Sequence, residues 1–180
     1  MSKNVLILSA SPRKGGNSDS LAEEFAEGAA RAGNTVEIIN LADRQFQFCK
    51  GCLVCQSTYQ CVIHDDMKTI LDKMVRADVV VFATPIYFYE MAGQLKTFLD
   101  RTNPLYGVDY KFRDIYLIGA SAEEENRAMD GAVKGLEGWI ACFEKAGMAG
   151  VVHGRGLTEK GDIRKHPEYM KQAYDMGMNI

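Results

Sequence analysis

The stretch Asn4–Ser18, "NVLILSASPRKGGNS", decides how the chain is read. Its first half, "NVLILSA" (4–10), is mostly apolar and rich in branched residues, the pattern of a strand buried in a parallel sheet. The second half, "SASPRKGGNS" (9–18), crowds hydroxyls, two glycines and two basic residues into ten positions. Small donors gathered where a strand stops and a helix starts suit an anion, held by the free amides and the dipole of the first helical turn. Ser11, Asn17 and Ser18 add side-chain donors, and Gly15 and Gly16 let the backbone curl close to the ligand. Arg13 offers a charge-assisted pair, with Lys14 beside it as the weaker candidate. The turn lacks both the "GxxxxGK[ST]" and the "GxGxxG" pattern, so it suits a monophosphate better than a chain of phosphates.

Working outward, apolar runs alternate with helical periodicity five times. Residues 18–32 read as a helix, 35–41 as a second strand, and 42–65 as a loop holding four cysteines. Residues 65–77 are helical, with Asp65 or Asp66 able to cap them. "DVVVFATP" (78–85) is a third strand, 91–102 a helix, and "DIYLIGAS" (114–121) a fourth strand. Residues 128–146 read as one long helix, "GVVHG" (150–154) as a weaker fifth strand, and 166–176 as a closing helix. Parallel strands joined by right-handed crossovers give an α/β fold, a doubly wound sheet with helices on both faces. Ligands in such sheets sit at the carboxyl ends of the strands, where the order reverses. The turn at 9–18, "TPIYFYEM" (84–91) and "SAEEEN" (121–126) all fall at that edge.

The 180 residues are expected to form one domain, 1–180, without repeats or linkers. The composition is 47% apolar and 25% charged, and a net charge of -3 argues against a nucleic-acid partner. The first apolar run breaks at Ser9, too early for a signal peptide, and no later run is long enough for a membrane span. The expectation is therefore a cytoplasmic protein whose thiols stay reduced. Trp139 is expected to pack, Cys142 to lie in the core, and His64, His153 and His166 to be solvated, none having a partner at metal-ligand spacing.

Cys49, Cys52, Cys55 and Cys61 are spaced C-x2-C-x2-C-x5-C within the cysteine-rich loop at 45–65. Three thiols at steps of three can converge on one centre, as in the bacterial ferredoxin run, with a fourth supplied nearby. A four-thiolate zinc site and an empty loop of reduced thiols are the alternatives.

Together, "SASPRKGGNS", "TPIYFYEMAGQLKTFLDR" and the cysteine insert resemble the NAD(P)H-dependent FMN reductase group of flavodoxin-like proteins, and within it the iron-sulfur flavoproteins. The resemblance covers nearly the whole chain. It implies a five-stranded flavodoxin-like sheet of order 2-1-3-4-5 that binds FMN. The phosphate would meet Ser11, Arg13, Asn17 and Ser18; Pro85, Ile86, Tyr87 and Phe88 would line the isoalloxazine ring, and Ser121 would close its other edge. The aromatic run agrees with this, since a flavin needs a flat wall. The four cysteines would ligate a [4Fe-4S] cluster.

The implied activity is an oxidoreductase. Electrons from NAD(P)H or a reduced ferredoxin would pass through FMN, and through the cluster if it is present, to a small-molecule or protein acceptor. No side chain is assigned as catalytic acid or base, because the cofactor does the chemistry. A homodimer or larger homo-oligomer is expected, with the aromatic loop at 87–91 as a contact. The rival readings are a flavodoxin-like electron carrier and a redox or metal sensor built on the cysteine loop.

Overall fold

A computed structural model describes residues 2–180. Five parallel strands, β1 (Asn4–Ser9), β2 (Thr35–Asn40), β3 (Val79–Tyr87), β5 (Asp114–Ala120) and β6 (Gly147–Gly154), lie in the order β2-β1-β3-β5-β6. Counted among the parallel strands alone, this is the expected 2-1-3-4-5. A sixth, two-residue strand, β4 (Glu90–Met91), folds back antiparallel on the end of β3. The helices are α1 (Asn17–Arg31), α2 (Cys55–Thr58), α3 (Met67–Arg76), α4 (Gly93–Asp100), α5 (Asp130–Ile140) and α6 (Pro167–Met178).

Side-chain alternation along β1 explains the two cores. Val5 and Ile7 face a core shared with Leu21, Phe25 and Ala29 of α1 and Ala173 of α6. Leu6 and Leu8 face the opposite core, with Met67, Ile70 and Met74 of α3, Leu95 and Phe98 of α4, and Leu136 and Trp139 of α5. Helices α1 and α6 approach closely because each offers a glycine. A Cβ on Gly28 would lie 2.1 Å from the Tyr174 carbonyl oxygen, and one on Gly177 would lie 2.1 Å from that of Phe25. On the other face Trp139 packs as expected: its ring lies 4.5 Å from Phe143, and its Nε1–H donates to Thr102 Oγ1 at 2.8 Å.

Five local expectations are corrected. The helix expected over 128–146 is a short 3-10 turn, Asn126–Met129, followed by α5, which stops at Ile140. The chain then turns back toward β6 and draws Phe143, 2% exposed, into the core. That turn faces Cys142 outward, so this cysteine is exposed and not part of the core. Strand β6 starts at Gly147, three residues before the expected strand; a register shift beside Ile115 and Tyr116 breaks its alternation. Strand β3 continues through Pro85 to Tyr87. Finally, Met91 belongs to β4, and α4 begins at Gly93.

Candidate functional site

The C-terminal ends of β1, β3 and β5 bring three segments to one edge. One cleft is lined by Ser11, Arg13, Asn17 and Ser18 from the first turn, Pro85, Ile86 and Tyr87 from β3, and Leu157, Thr158 and Lys160 from the segment after β6. An adjoining hollow, sharing Ile86 and Tyr87, takes in Phe88 and Ser121. The nine residues expected at a cofactor therefore lie along two neighbouring depressions.

The first turn is held from beneath by a residue that sequence reading missed. Asp19, in the first turn of α1 and 8% exposed, accepts from Ser9 Oγ at 2.8 Å and from the Gly15 amide at 2.9 Å. It ties the end of β1 to the loop. Ser11 Oγ donates to the Arg13 carbonyl at 2.9 Å and accepts from the Arg13 amide at 3.3 Å, closing the bend. Gly16 caps α1 without a side chain; a Cβ there would lie 2.8 Å from both the Arg13 carbonyl oxygen and Ser11 Oγ. The loop spends the amides of Ser11, Arg13, Gly15 and Gly16 on itself, so at the positive end of α1 the amides of Asn17 and Ser18 are left for a ligand.

The side chains divide differently from expectation. Asn17 spends its side-chain hydrogen-bonding capacity on the 157–163 segment. Nδ2 donates to the carbonyls of Leu157 (3.4 Å) and Glu159 (2.9 Å), while Oδ1 accepts from the amides of Gly161 (3.1 Å) and Ile163 (3.2 Å). Only its backbone amide is left for a ligand. Lys14 pairs with Asp43 at 3.1 Å. Arg13 is exposed and forms no ion pair among the described residues, and Lys160 joins it on the cleft lining. No local pattern marked Lys160, because Asn17 delivers its segment across more than 140 positions.

The aromatic segment is a hairpin. Tyr87 pairs with Glu90, leaving Phe88 (φ 51°) and Tyr89 (φ 64°) as a two-residue turn in the left-handed region. That is the geometry of a type I′ turn, which ordinarily selects Asn or Gly. Its base is held by Thr84, whose Oγ1 accepts from the Ala92 amide at 2.9 Å. The turn shows Phe88 fully to solvent, with Tyr87 and Tyr89 each 44% exposed. Across the hollow, Ser121 Oγ meets His153 Nε2 at 2.8 Å. His153 was expected to be solvated; it is half-buried, and burial together with Arg155 pushes it below the ordinary imidazole range. His64 is exposed, and partly exposed His166 contacts Glu168.

Cys49, Cys52, Cys55 and Cys61 line one hollow with Arg101 and Asn103. Burial pushes the Cys55 thiol up, and Cys61, Cys49 and Cys52 add to it, so the four sulfurs feel one another. The loop is shaped by left-handed backbone at Leu53 (φ 60°), which costs a non-glycine residue about 1–2 kcal/mol. Donors face the sulfurs: the Gly51 amide at 3.4 Å and Asn103 Nδ2 at 4.0 Å from Cys49, and Arg101 at 3.5 Å from Cys61. Among the described residues, however, no group of three or more His, Cys, Asp or Glu side chains is arranged to hold a metal ion.

Arg101 closes the motif "TPIYFYEMAGQLKTFLDR" and is only 1% exposed. It binds Asp65 through both oxygens at 2.8 and 3.0 Å and donates to the Gln47 carbonyl at 2.6 Å. Its Nε is buried without a partner. Burial pushes the Asp65 carboxyl up, but hydrogen bonds from Arg101 and from the Gln47 and Met67 amides outweigh it and hold the group below its usual value.

Comparison with known proteins places this geometry. Residues 3–143 match the family model described as NADPH-dependent FMN reductase. An iron-sulfur flavoprotein of Methanocaldococcus jannaschii is 40% identical over 101 residues, 56% of this chain and 52% of that protein. The match spans about half the length of that relative and of the next two iron-sulfur flavoproteins, from Archaeoglobus fulgidus. A Bacillus subtilis protein, YwqN, provisionally named an NAD(P)H-dependent FMN-containing oxidoreductase, is 32% identical over 88% of this chain and 82% of its own. Among solved structures, an NAD(P)H:quinone oxidoreductase from Methanothermobacter marburgensis superposes with a TM-score of 0.76 at 18% identity, covering 99% of this chain and 97% of that one. At that identity the likeness speaks for the fold.

Proposed function

The chain belongs to the NADPH-dependent FMN reductase family, and from that premise we propose that residues 1–180 form one FMN-binding oxidoreductase domain that draws electrons from NAD(P)H. The observation that carries the reading is the shared cleft between the amide-lined turn at Ser11–Ser18 and the aromatic hairpin. The residues present fit the cofactor: a loop that Asp19 holds open, a position where only glycine fits, two exposed cations and a flat aromatic wall. Bound FMN would supply hydride acceptance and onward electron transfer.

The chain's own residues do the holding. The backbone amides of Asn17 and Ser18, with Arg13 and Lys160, neutralise the phosphate, and Ser11 keeps the bend closed. Pro85, Ile86, Tyr87 and Phe88 form the wall for the ring and shield it from water on that side, opposite Ser121. No acid or base is assigned. The electron acceptor belongs to the class of small redox molecules or redox proteins, and the exposed tip at Phe88 suits contact with a second copy of the chain. No helix among the described residues is long and apolar enough to cross a membrane. As a separate part of the proposal, the protein works in the cytoplasm, where its free cysteines stay reduced.

The four cysteines are assigned to a [4Fe-4S] cluster. The chemistry of the donor set supports this, although the four sulfurs are not gathered around one point: four thiols line one hollow, and N–H groups of Gly51 and Arg101 reach two of the sulfurs. One experiment addresses both cofactors: anaerobic purification, an absorbance spectrum, analysis for flavin, iron, sulfide and zinc, and then titration with NADH and NADPH. Brown protein with flavin and four irons, its flavin absorbance bleached by either nucleotide, is the expected result. Zinc without iron would replace the cluster with a structural site, and FMN-loaded protein that no nucleotide bleaches would overturn the reductase reading in favour of an electron carrier.

A further inference from the structure

One hydrogen-bonded pair in the wall of the hollow beneath the hairpin is left without a role. Ser121 follows β5 directly, and His153 lies near the end of the adjacent strand β6, where Gly119 is its partner in register. Their Oγ and Nε2 atoms are 2.8 Å apart. Ser121 is 2% exposed and lines the hollow together with Ile86, Tyr87 and Phe88. Its hydroxyl also donates to the Glu123 carbonyl at 2.9 Å. A carbonyl oxygen only accepts, and a hydroxyl has one hydrogen, so the histidine must donate to Oγ. His153 therefore carries its hydrogen on Nε2. With that bond in place, the Ser121 hydrogen can swing from Glu123 to another acceptor while Oγ stays fixed. The charged groups felt by the ring are Arg155 on its own segment and Asp130 at the start of α5, which act in opposite directions.

We propose that His153 is a positioning residue of the cofactor cleft: its Nε2–H anchors the Ser121 oxygen and keeps that hydroxyl a donor toward an acceptor atom of the flavin. The inference rests on the FMN reading above. The opposite tautomer would consume the Ser121 hydrogen and leave the flavin facing lone pairs. In the FMN-free protein Glu123 imposes the choice by taking the Ser121 hydrogen; with FMN bound, the flavin acceptor takes that place.

The test is FMN binding by the apoprotein, read from quenching of flavin fluorescence, with the histidine tautomer read by 15N NMR. His153→Phe should weaken FMN binding about three- to tenfold, the range of one neutral hydrogen bond. His153→Gln, which restores an N–H donor, should bring affinity back to within about twofold. Ser121→Ala should match His153→Phe, and the double variant should be no worse than Ser121→Ala, because His153 acts only through the hydroxyl. The wild-type apoprotein should show Nε2 protonated at neutral pH, an arm that needs no variant to fold. Wild-type affinity in His153→Phe, failure of the Gln rescue, additive losses in the double variant or an Nδ1–H tautomer would each overturn the proposal while leaving the FMN reading intact. Absence of FMN binding by the wild type would overturn both.

Discussion

Replacing Arg101 by Met tests whether the buried ion pair organises the cysteine loop. In the folded protein the guanidinium is 1% exposed and its partner carboxylate 7% exposed. Met fills much of the same volume but leaves Asp65 a buried charge, and removing one member of such a pair costs about 3–5 kcal/mol. The Gln47 carbonyl also loses its donor, but its residue is exposed and water can replace it, so nothing is added for it. For a chain of this size each kcal/mol lowers Tm by about 2–4 °C, so the expected drop is about 6–20 °C. Arg101→Met, Asp65→Asn should recover more than half of that. Asn is neutral and keeps one acceptor oxygen, enough for either the Gln47 or the Met67 amide but not both, since these bond different oxygens of Asp65.

The pH dependence follows from the same pair. The folded Asp65 carboxyl titrates below its unfolded value. Its contribution is therefore present above the unfolded value, about pH 3.9, and is lost as pH falls through the folded one. In Arg101→Met the unpaired carboxyl can neutralise itself on acidification, so the gap to wild type should close as pH falls from 7 toward 4. Urea unfolding of metal-free protein by circular dichroism, repeated across that range, measures all of this. A single-variant loss below about 1 kcal/mol, a double variant as unstable as the single, or a gap independent of pH would refute the reasoning.

Arg13→Ala should lower FMN affinity about ten- to a hundredfold by fluorescence titration, and adding Lys160→Ala should lower it further, whereas adding Lys14→Ala should not, because Lys14 faces Asp43. Gly16→Ala forces a Cβ against the Arg13 carbonyl and Ser11, so stability should fall by about 1–3 kcal/mol in urea unfolding, with a matching loss of FMN affinity. Cys52→Ala should lose its iron in anaerobic metal analysis yet keep its yellow spectrum, since the cysteine hollow and the turn at Ser11–Ser18 share no residues. Loss of flavin from that variant would show that the two sites are one.

The sequence by itself marked five parallel strands as apolar runs, though not all of their ends and not the two-residue β4. Their order came from the family resemblance, because right-handed crossovers fix handedness and not which strands are neighbours. The sequence also marked the turn at Ser11–Ser18, the aromatic segment and the four cysteines, because each is a compact cluster of unusual composition. The tertiary structure alone decided what each polar side chain does. Asn17 looks like a ligand donor until the 157–163 segment, brought back by β6, takes both ends of its amide. His153 looks solvated until β5 places Ser121 beside it, and Arg101 merely closes a motif until Asp65, 36 positions away, is found against it. Cys142 sits on a helical apolar stripe in the sequence, but the helix stops at Ile140 to let the chain enter β6. Apolar periodicity is a local signal, because burial against a sheet is periodic along the chain. Hydrogen-bond partners of polar groups are chosen by which strand ends lie side by side, and that is a property of the assembled sheet.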